Sequence, residues 1–529
     1  MTLPRRALFR AAALAAAAFG AHTATAPSPT TPPTPAPRRS PRRGPDWAAL
    51  ARDLDGRVIR PGDPDHEEAR RLFQPRFDRV SPAAVAYPAH AADVATTIAF
   101  ARRSGVPITA RSGGHGYAGW STGPGLVVDT GALARIEVSG AGARASARIG
   151  AGARLGEVNR LLAARGVGVP TGLCPSVGIA GLALGGGLGL SSRAHGATSD
   201  AVTAIEVVAA DGVVRTVSAQ RDPDLFWALR GAGGGNFGIV TEFTLGAHPV
   251  GRTGMVEAHW AAADTPALLA GWQRWLAALP DPVWSQVEFT VSSDDPAGAP
   301  GAPSVRVVSL EGRAEADRQV DRLVAAVGRG ERDRWAVERE YGELTRVMGG
   351  CGDLTPEQCR LPGRLPGHDP RGRLGRDSYA ARSDFWDAGA LTPGAVDAVL
   401  AALARYRGAV PAGCFGVVQF DGVCGGALNR TAPGATAFVH RSHAFLAQYL
   451  SYWPAGGDEG TGVPRRHREW LDGLWRDVRP WASGAAYQNY VDPALTDWRR
   501  ACHGANLGRL EEVRGRWDPE RLFRFPQAI

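Results

Sequence analysis

Lysine is absent from this 529-residue sequence, so all 60 basic residues are arginines. Acidic residues are absent from the first 45 positions, which hold seven of those arginines. Without this segment the chain has 53 basic and 52 acidic residues, and its formal charge falls from +8 to +1. A nearly neutral body offers no electrostatic basis for binding nucleic acid, so we expect no such partner.

Long hydrophobic runs are also lacking. The apolar stretch at residues 11–21 is too short to span a bilayer, so we expect no membrane anchor. It follows Arg5 and Arg6 and precedes small residues, which is the pattern of an export signal peptide. The motif RRALFR resembles the twin-arginine type, although an ordinary secretory signal with a chance arginine pair has the same pattern. We predict a signal peptide at 1–26, a Pro-rich disordered linker at 27–45, and a secreted, extracellular protein.

Cysteine is scarce, with six residues in the chain. Cys351 and Cys359 lie close together in GGCGDLTPEQCRLPG and are expected to form a disulfide outside the cytoplasm. They could be half of a zinc site, but a second pair at matching spacing is missing. His440 and His443 in FVHRSH could ligate a metal; without an H-E-x-x-H pattern we interpret them as structural histidines. The sequence therefore predicts no metal centre.

One glycine-rich stretch, Gly233–Gly238, fits the nucleotide-binding pattern G-x-G-x-x-G. A dinucleotide-binding Rossmann fold needs this pattern to open a helix. Here the strand-like sequence IVTEFTL follows, so we reject that fold. Tight glycine turns can still present N–H groups to a pyrophosphate.

Short strands and helices alternate along the first half of the chain. RLGEVNRLLAARG has apolar residues at helical spacing and ends at Gly166, and AVTAIEVVAADGVVRTV is typical of a hairpin that turns at Asp211 and Gly212. After about Val250, Trp-rich amphipathic helices alternate with strands such as WSQVEFTVSS. The sequence predicts an α+β protein with two domains.

Two stretches of small residues each hold one reactive side chain. RSGGHGYAGW carries His115, and TGLCPSVGIAGLALGGG carries Cys174. Glycine lets the backbone approach a ligand closely. Taken alone, the histidine could be a metal ligand, a base, a packing residue or an attachment point, and the cysteine could be a buried structural thiol.

Together these stretches resemble the berberine bridge enzyme-like flavoprotein oxidases of the vanillyl-alcohol oxidase, or p-cresol methylhydroxylase, superfamily, in particular those of the glucooligosaccharide oxidase type. The resemblance extends from about Phe77 to the C-terminus. Residues 222–243 resemble the family's FAD segment, and residues 419–430 its substrate-domain strand. Residues 487–492 and the ending WDPERLFRFPQAI resemble its C-terminal signature.

The resemblance implies a two-domain, p-cresol methylhydroxylase-type FAD-binding fold of the α+β class. Residues 46–250 would form the FAD-binding domain, to which the C-terminal segment 484–529 returns. Residues 251–483 would form the substrate domain, an antiparallel sheet backed by helices that covers the flavin.

In this family one FAD is bonded to the protein at two points. His115 matches the histidyl link to the 8α carbon of the isoalloxazine ring, and Cys174 matches the cysteinyl link to C6. A tethered cofactor is retained after export and can occupy an open cleft. The resemblance implies further cofactor contacts at Arg111, Ser112, Gly113, Gly114, Gly116, Val177, Gly178, Gly181, Gly235, Asn236, Gly238, Ile239 and Asn489.

The resemblance also implies catalytic roles. Tyr487 matches the family's active-site tyrosine and would take the substrate's O–H proton as a hydride leaves for flavin N5; Tyr490 is the second choice. An unperturbed phenol has a pKa near ~10 and needs help to act as a base at neutral pH. Asp421 and Gln419 match polar residues that assist the base or bind substrate in carbohydrate-oxidising members, and Tyr117 matches another substrate-facing tyrosine.

Val177 occupies the family position that gates oxygen, where valine is typical of oxidases, so we expect O2 to reoxidise the flavin and yield hydrogen peroxide. The chain departs from the family pattern at Leu188 and Cys424, where aromatic residues are usual, and at Cys502 and His503, where two tyrosines are usual. These departures bear on which substrate is bound more than on whether flavin is bound. A Cys424–Cys502 disulfide is a further hypothesis.

We therefore expect a secreted oxidase with bicovalently attached FAD, which oxidises an alcohol group of a small molecule or an oligosaccharide. Export and the pair Gln419 and Asp421 favour a carbohydrate. The alternatives are a tailoring oxidase or oxidative cyclase of a secondary metabolite, a flavin-binding protein without turnover, and a secreted metal-binding protein. The sequence indicates no oligomeric state.

Overall fold

Three large β-sheets, each with its own hydrophobic core, organise the described part of the protein. The computed structural model describes residues 44–295, 301–454 and 461–529. The predicted signal peptide and nearly all of the predicted linker lie outside the described residues. Residues Pro45–Ile529 form one compact unit, and the domain boundaries within it stay a prediction.

The strands are numbered in chain order. They are β1 (Arg57–Ile59), β2 (Ala84–Tyr87), β3 (Ile108–Arg111), β4 (Leu126–Asp129), β5 (Ile136–Ser139), β6 (Ser146–Gly150), β7 (Val167–Gly168), β8 (Val202–Ala209), β9 (Val214–Ser218), β10 (Gly238–Gly246), β11 (His248–Pro249), β12 (Arg252–His259), β13 (Val283–Ser292), β14 (Ser304–Ser309), β15 (Asp333–Glu340), β16 (Leu361–Pro362), β17 (His368–Asp369), β18 (Ser378–Trp386), β19 (Phe415–Asp421) and β20 (Phe445–Trp453).

The α-helices are numbered in the same way. They are α1 (Trp47–Asp53), α2 (His66–Ala69), α3 (Ala91–Ser104), α4 (Leu155–Ala163), α5 (Ile179–Leu184), α6 (Ser192–His195), α7 (Thr198–Ala201), α8 (Pro223–Ala228), α9 (Thr265–Ala277), α10 (Arg313–Val327), α11 (Tyr341–Arg346), α12 (Pro393–Ala404), α13 (Tyr406–Ala409), α14 (Gly426–Arg430), α15 (Val463–Val478), α16 (Trp498–His503) and α17 (Leu507–Trp517). None of the helices in the described ranges combines the length and the apolar character needed to cross a membrane.

Two sheets form the first half of the described chain. Strands β1 to β4 lie in the order β1-β2-β4-β3, in which β2, β4 and β3 are parallel and β1 is antiparallel. Strands β5, β6, β10, β8 and β9 form a second sheet in that order, and all its pairs are antiparallel.

Local sequence explains two elements of this half. The predicted helix is α4, which buries Leu155, Val158 and Leu162 on one face, and Gly166 adopts a positive φ of 69° just after it. The predicted hairpin is β8–β9, where Gly212 has a φ of 80° that a side chain would strain. Both predictions are confirmed.

Seven antiparallel strands form the third sheet, in the order β15-β12-β14-β13-β19-β20-β18. Alternate residues of a strand point to opposite faces of its sheet. One face, with Val287, Val418 and Phe420, packs against α9, α10, α12 and α15 in a single apolar core. The opposite face carries Gln419 and Asp421. The expected α+β class, with an antiparallel sheet backed by helices, is confirmed.

The C-terminal segment packs on the first half of the chain. Phe523 pairs with Ile108 at the start of β3. Asn236 holds the chain end, because its Oδ1 accepts hydrogen bonds of 3.0 Å from both Arg514 Nη1 and the Ile529 backbone N–H. These contacts bring residues near the C-terminus to the edge of the first sheet.

The cysteines confirm one disulfide prediction and contradict the other. Cys351 and Cys359 form the predicted disulfide, with their Cα atoms 5.6 Å apart. The Cys424–Cys502 hypothesis is wrong, because both are free thiols buried in different apolar clusters.

The FVHRSH segment is irregular and precedes β20. His440 is buried and stacks on Phe385 with ring centroids 4.3 Å apart. His443 Nδ1 lies 2.8 Å from Asp387 Oδ1. These contacts agree with the interpretation of both residues as structural histidines.

Candidate active site

A cavity of about 720 Å³ lies between the glycine-rich loops of the first two sheets and the polar face of the seven-stranded sheet. The loop at residues 487–491 closes one side. A cavity of this size is in the range that holds a cofactor or a drug-sized ligand. The site is therefore assembled from segments that are far apart in the sequence.

Most of the predicted site residues meet in this cavity. Those that line it are Arg111, Ser112, Gly113, Gly114, His115, Gly116, Tyr117, Cys174, Val177, Gly178, Gly181, Gly235, Gly238, Ile239, Gln419, Asp421, Tyr487, Asn489 and Tyr490. Asn236 does not line it, because its side-chain oxygen is bonded to the C-terminal segment. The Asn236 side chain thus anchors the chain end, and its contact with the cofactor stays a prediction.

One hydroxyl joins the two residues predicted to bind the flavin covalently. Ser176 Oγ lies 2.9 Å from His115 Nε2 and 3.9 Å from Cys174 Sγ. His115 and Cys174 thus lie on the same wall of the cavity. Ser176 was not predicted from the sequence, although its place in CPSVG beside Cys174 was the available signal.

His115 is a neutral imidazole. Phe73 stacks on its ring with centroids 3.9 Å apart. Burial and the nearby positive charge of Arg154 lower the pKa of His115 to about 3. A neutral imidazole keeps one nitrogen lone pair. Because Ser176 engages Nε2, Nδ1 is the nitrogen available for a further bond.

Cys174 presents its thiol to the cavity. The side chain is exposed at the wall of the cavity. The surrounding walls still raise the pKa of the thiol through burial, and the hydrogen bond with Ser176 opposes this effect. At neutral pH Cys174 is therefore a protonated thiol with access to a ligand in the cavity.

The loop glycines fall into two groups. An added Cβ on Gly113 would lie 2.2 Å from the backbone nitrogen of Gly178, and one on Gly178 would lie 2.1 Å from Ser112 Oγ. These two glycines let two loops cross. A Cβ on Gly116 or Gly181 would meet nothing within 4 Å. The second group leaves open space against which a flat ring can lie.

Arg111 supports a loop of the cavity through its side chain. Its guanidinium is buried in an ion pair with Asp129, and Nη2 donates to Ala69 O at 2.6 Å. The positive charge is thus neutralised within the protein. Arg111 holds the start of the RSGGHG loop in place.

Tyr487 has a phenol oxygen held by two donors. It accepts hydrogen bonds from the Gly187 backbone N–H at 3.0 Å and from Asn489 Nδ2 at 2.9 Å. Burial raises the pKa of Tyr487 to about 12, although both donors favour the phenolate and oppose this effect. Asn489 Nδ2 also donates to Leu182 O at 2.9 Å. Asn489, predicted as a cofactor contact, is thus a fixed partner of Tyr487.

Aromatic rings continue from Tyr487 along the cavity. Tyr490 lies edge-on to it with centroids 5.0 Å apart and stacks on Tyr117 at 5.5 Å. The Tyr117 hydroxyl accepts a hydrogen bond of 2.7 Å from Gln448 Nε2. This bond joins the loop after β3 to β20 across the cavity.

Asp421 and Gln419 lie in cross-strand rows of polar side chains. Trp284 Nε1 donates to Asp421 Oδ1 at 2.6 Å. Burial raises the pKa of Asp421 to about 7, against the effect of this bond, so the carboxyl exchanges a proton near neutral pH. Gln419 pairs with Gln448 on β20 and Glu288 on β13. Trp284, Gln448 and Glu288 were not predicted, because strand register brings them to the site.

The residues on this wall fit the isoalloxazine ring implied by the resemblance. His115 offers a neutral nitrogen, Cys174 a thiol that faces the cavity, and Gly116 and Gly181 open space beside their backbone. These groups are contiguous with the cavity that Tyr487 lines. A flavin held here would share one space with the substrate.

Comparisons with known proteins support this fit. Residues 82–218 match the family described as FAD binding domain, and residues 486–529 match the family described as berberine and berberine like. The chain is 30% identical over 486 residues to the FAD-linked oxidoreductase YgaK of Bacillus subtilis, an alignment that covers 90% of this chain and 97% of that protein. It is 28% identical over 468 residues to the xylooligosaccharide oxidase of Thermothelomyces thermophilus, with 85% and 87% covered.

The fold is similar to that of the solved structure of BBE-like 1 from Physcomitrella patens. The TM-score is 0.78 at 28% identity, and the match covers 91% of this chain and 98% of that one. The expected p-cresol methylhydroxylase-type fold, FAD-binding domain and oxidoreductase class are therefore confirmed. The chain belongs to the berberine bridge enzyme-like family of FAD-linked oxidoreductases.

Proposed function

We propose that this protein is a carbohydrate oxidase that oxidises a sugar C–OH group and reduces O2 to hydrogen peroxide. When bound, the flavin accepts a hydride from the substrate carbon and passes the electrons to O2. The observation that carries the proposal is that Tyr487 and a polar sheet face share one cavity. Gln419, Gln448 and Asp421 offer donors and acceptors to several hydroxyl groups at once.

Tyr487 is the proposed base. Its oxygen would take the proton of the substrate hydroxyl, and the N–H groups of Gly187 and Asn489 stabilise the charge that this oxygen carries as a phenolate. Asp421 is the proposed acceptor for a second substrate hydroxyl. Its pKa of about 7 means that it is ionised above neutral pH and accepts hydrogen bonds most strongly there.

His115 and Cys174 are the proposed covalent anchors of the flavin, through Nδ1 to the 8α carbon and through Sγ to C6. Three properties support this role: Ser176 contacts both side chains, His115 is neutral, and the Cys174 thiol faces the cavity. Acid precipitation tests it, because a doubly attached flavin stays with the protein pellet. A colourless pellet from the matured protein would disprove the linkage.

Val177 is the proposed oxygen gate. It lines the cavity and follows the Cys174 loop. We expect Val177→Leu to slow flavin reoxidation by O2 while leaving reduction by the sugar unchanged. Stopped-flow spectroscopy separates the two half-reactions, and an equal effect on both would contradict a gate.

A tailoring oxidase of a secondary metabolite is the second candidate. Leu173, Leu188 and Met348 give part of the cavity an apolar lining, which favours a less polar substrate. The deciding experiment adds sugars, phenols and alkaloid-like alcohols to the protein under argon and follows bleaching of the flavin, then measures peroxide in air. Bleaching by sugars supports the first proposal, and bleaching only by the aromatic compounds supports the second.

Export is proposed from residues 1–26 alone, which lie outside the described residues. A twin-arginine signal exports folded protein, so the flavin would be bound before export. Replacing both Arg5 and Arg6 with lysine should keep the protein inside the cell. Unchanged export would indicate an ordinary secretory signal.

A further inference from the structure

A second cavity, of about 40 Å³, adjoins the wall that carries Cys174, because Pro175 and Ser176 line it. We call it the arginine cavity, since its lining includes Arg154, Arg160, Arg346 and Arg360. Among the described residues that line it, Glu157 has the one carboxylate. A space of this size holds about three water molecules or one small ion. The cavity is therefore rich in positive charge and poor in negative charge.

Three of the four arginines have partners within the protein. Arg160 and Arg360 both bind Glu157, at 2.6 Å and 3.4 Å from its two carboxylate oxygens. Arg346 Nη1 donates to two backbone oxygens, at 2.9 Å and 2.6 Å. Two arginines thus share the carboxylate of the cavity, and it is not available to a third.

Arg154 is the arginine without a partner. Its guanidinium forms no hydrogen bond and no salt bridge within residues 44–295, 301–454 and 461–529, and its Nη1 is buried. Burial lowers the pKa of Arg154. The attraction of Asp129 does not offset this effect, because Asp129 is paired with Arg111. A buried charge without a counterion destabilises the folded protein, so a ligand that supplies one would bind here.

The local backbone directs positive potential into the same space. The Arg154 guanidinium lies against Gly367, where an added Cβ would come within 2.4 Å of Nη2. Gly367 therefore leaves room for the guanidinium at the edge of the cavity. Gly156 and Glu157 line the cavity from the first turn of α4, and a helix dipole favours an anion near its N-terminus.

We propose that the arginine cavity binds a small inorganic anion, chloride or phosphate, with Arg154 as its main ligand. Arg154 Nη1 would donate to the anion in a charge-assisted hydrogen bond. Arg160 and Arg360 would add to the attraction from the edge of the cavity while they remain paired with Glu157.

This anion site is separate from the cavity that holds Tyr487, because Arg154 does not line that cavity. The two spaces meet at Ser176, whose Oγ lies 2.9 Å from His115 Nε2. The charge of Arg154 acts on His115. A bound anion would therefore cancel part of the positive potential at this wall of the flavin cavity.

The test measures the melting temperature of the flavin-loaded protein while chloride or phosphate replaces HEPES at constant ionic strength. The HEPES anion is too large for the cavity. We expect one of the two small anions to raise the melting temperature along a saturating curve, by about 2–4 °C at about a hundredfold excess over Kd. Crystals that contain bromide in place of chloride, or arsenate in place of phosphate, should show an anomalous signal beside Arg154 Nη1.

Arg154→Gln should abolish the saturating rise. Arg154→Lys keeps the charge but loses the planar set of donors, so it should need about tenfold more anion for the same rise. Arg165→Gln is the matched control, because Arg165 is exposed just after α4 and does not line the cavity. This control should respond to the anion like the unaltered protein.

Two results would overturn the proposal. A rise that is equal in Arg154→Gln, or that never saturates, would be a general salt effect. An anomalous signal at Arg154 without any effect on melting would mean an adventitious ion only. Because no substrate is used, either result leaves the proposed oxidase function untouched.

Discussion

Replacing Ser176 with alanine tests how one hydroxyl prepares His115 for the flavin. When His115 Nε2–H donates to Ser176 Oγ, Nδ1 keeps its lone pair, and the hydroxyl hydrogen is left for Cys174 Sγ. A single hydrogen bond contributes about 1 kcal/mol net to the favoured arrangement. Since 1.4 kcal/mol is about tenfold in population, we expect the reactive tautomer and orientation of His115 to become about fivefold rarer in Ser176→Ala.

The assay follows covalent attachment after FAD is added to protein produced without flavin. Acid-stable flavin is quantified by absorbance and by intact mass. Each bond replaces one hydrogen on the protein and one on the flavin, and O2 takes up both as hydrogen peroxide, which is a second readout. Ser176→Ala should form the histidyl bond about fivefold more slowly. Ser176→Thr retains the hydroxyl and should match the unaltered protein. Equal rates in all three proteins would refute the role assigned to Ser176.

Four further outcomes are expected. Gly178→Ala should lower the free energy of unfolding by about 3 kcal/mol through a backbone clash, whereas Gly181→Ala should be as stable as the unaltered protein but retain less flavin. Urea denaturation measures the stability and absorbance measures the flavin content. Equal losses of stability in the two variants would contradict the division of the loop glycines into two groups. Tyr487→Phe should lower kcat by about 10²–10³-fold with an unchanged flavin spectrum, and full activity would exclude it as the base. Cys351→Ser removes the disulfide and should lower the free energy of unfolding by about 2–3 kcal/mol. Because this variant has no disulfide between residues 351 and 359 to reduce, calorimetry should give the same melting temperature for it with and without reductant. Burial raises the pKa of Asp421 from 3.8 to about 7, so its protonated form stabilises the fold, and this stabilisation is lost as the pH rises towards 7. Asp421→Asn should therefore raise the melting temperature more at pH 8 than at pH 5. An equal rise at both pH values would contradict the raised pKa.

The site residues predicted from the sequence lie in short, distinctive motifs, most of them in loops and one, QFD, on β19. His115, Cys174 and Tyr487 each lie in a segment whose local pattern is distinctive, and the structure brings all three to one cavity. Gln448 and Glu288 were missed, because they reach the site through the pairing of β20, β19 and β13. A one-residue slip in such a sheet would point both side chains into the opposite core. This strand register depends on contacts between strands that are distant in the sequence, so no local sequence pattern indicates it.

The same limit explains the wrong cysteine pairing and the unpredicted structural role of Asn236. The Cys424–Cys502 hypothesis took two unusual cysteines as partners, but the intervening chain places them in separate apolar clusters. Asn236 belongs to a glycine-rich turn beside the cavity, and only the folded C-terminus shows that its side chain binds Arg514 and Ile529. In both cases the residue type was informative and the direction of the side chain was not.

The charges of the cavity argue against a protein that only stores flavin. Burial raises the pKa of Glu288, Asp377 and Asp421, so each carboxylate is less favourable in the folded protein than in water. Storage of a flavin on the opposite wall needs none of them, and glutamine or asparagine would be more stable at neutral pH. Their presence is explained by a ligand that donates hydrogen bonds to this sheet face. The carbohydrate substrate proposed above would supply such donors, and the carboxyl groups that destabilise the fold would then be the groups that bind it.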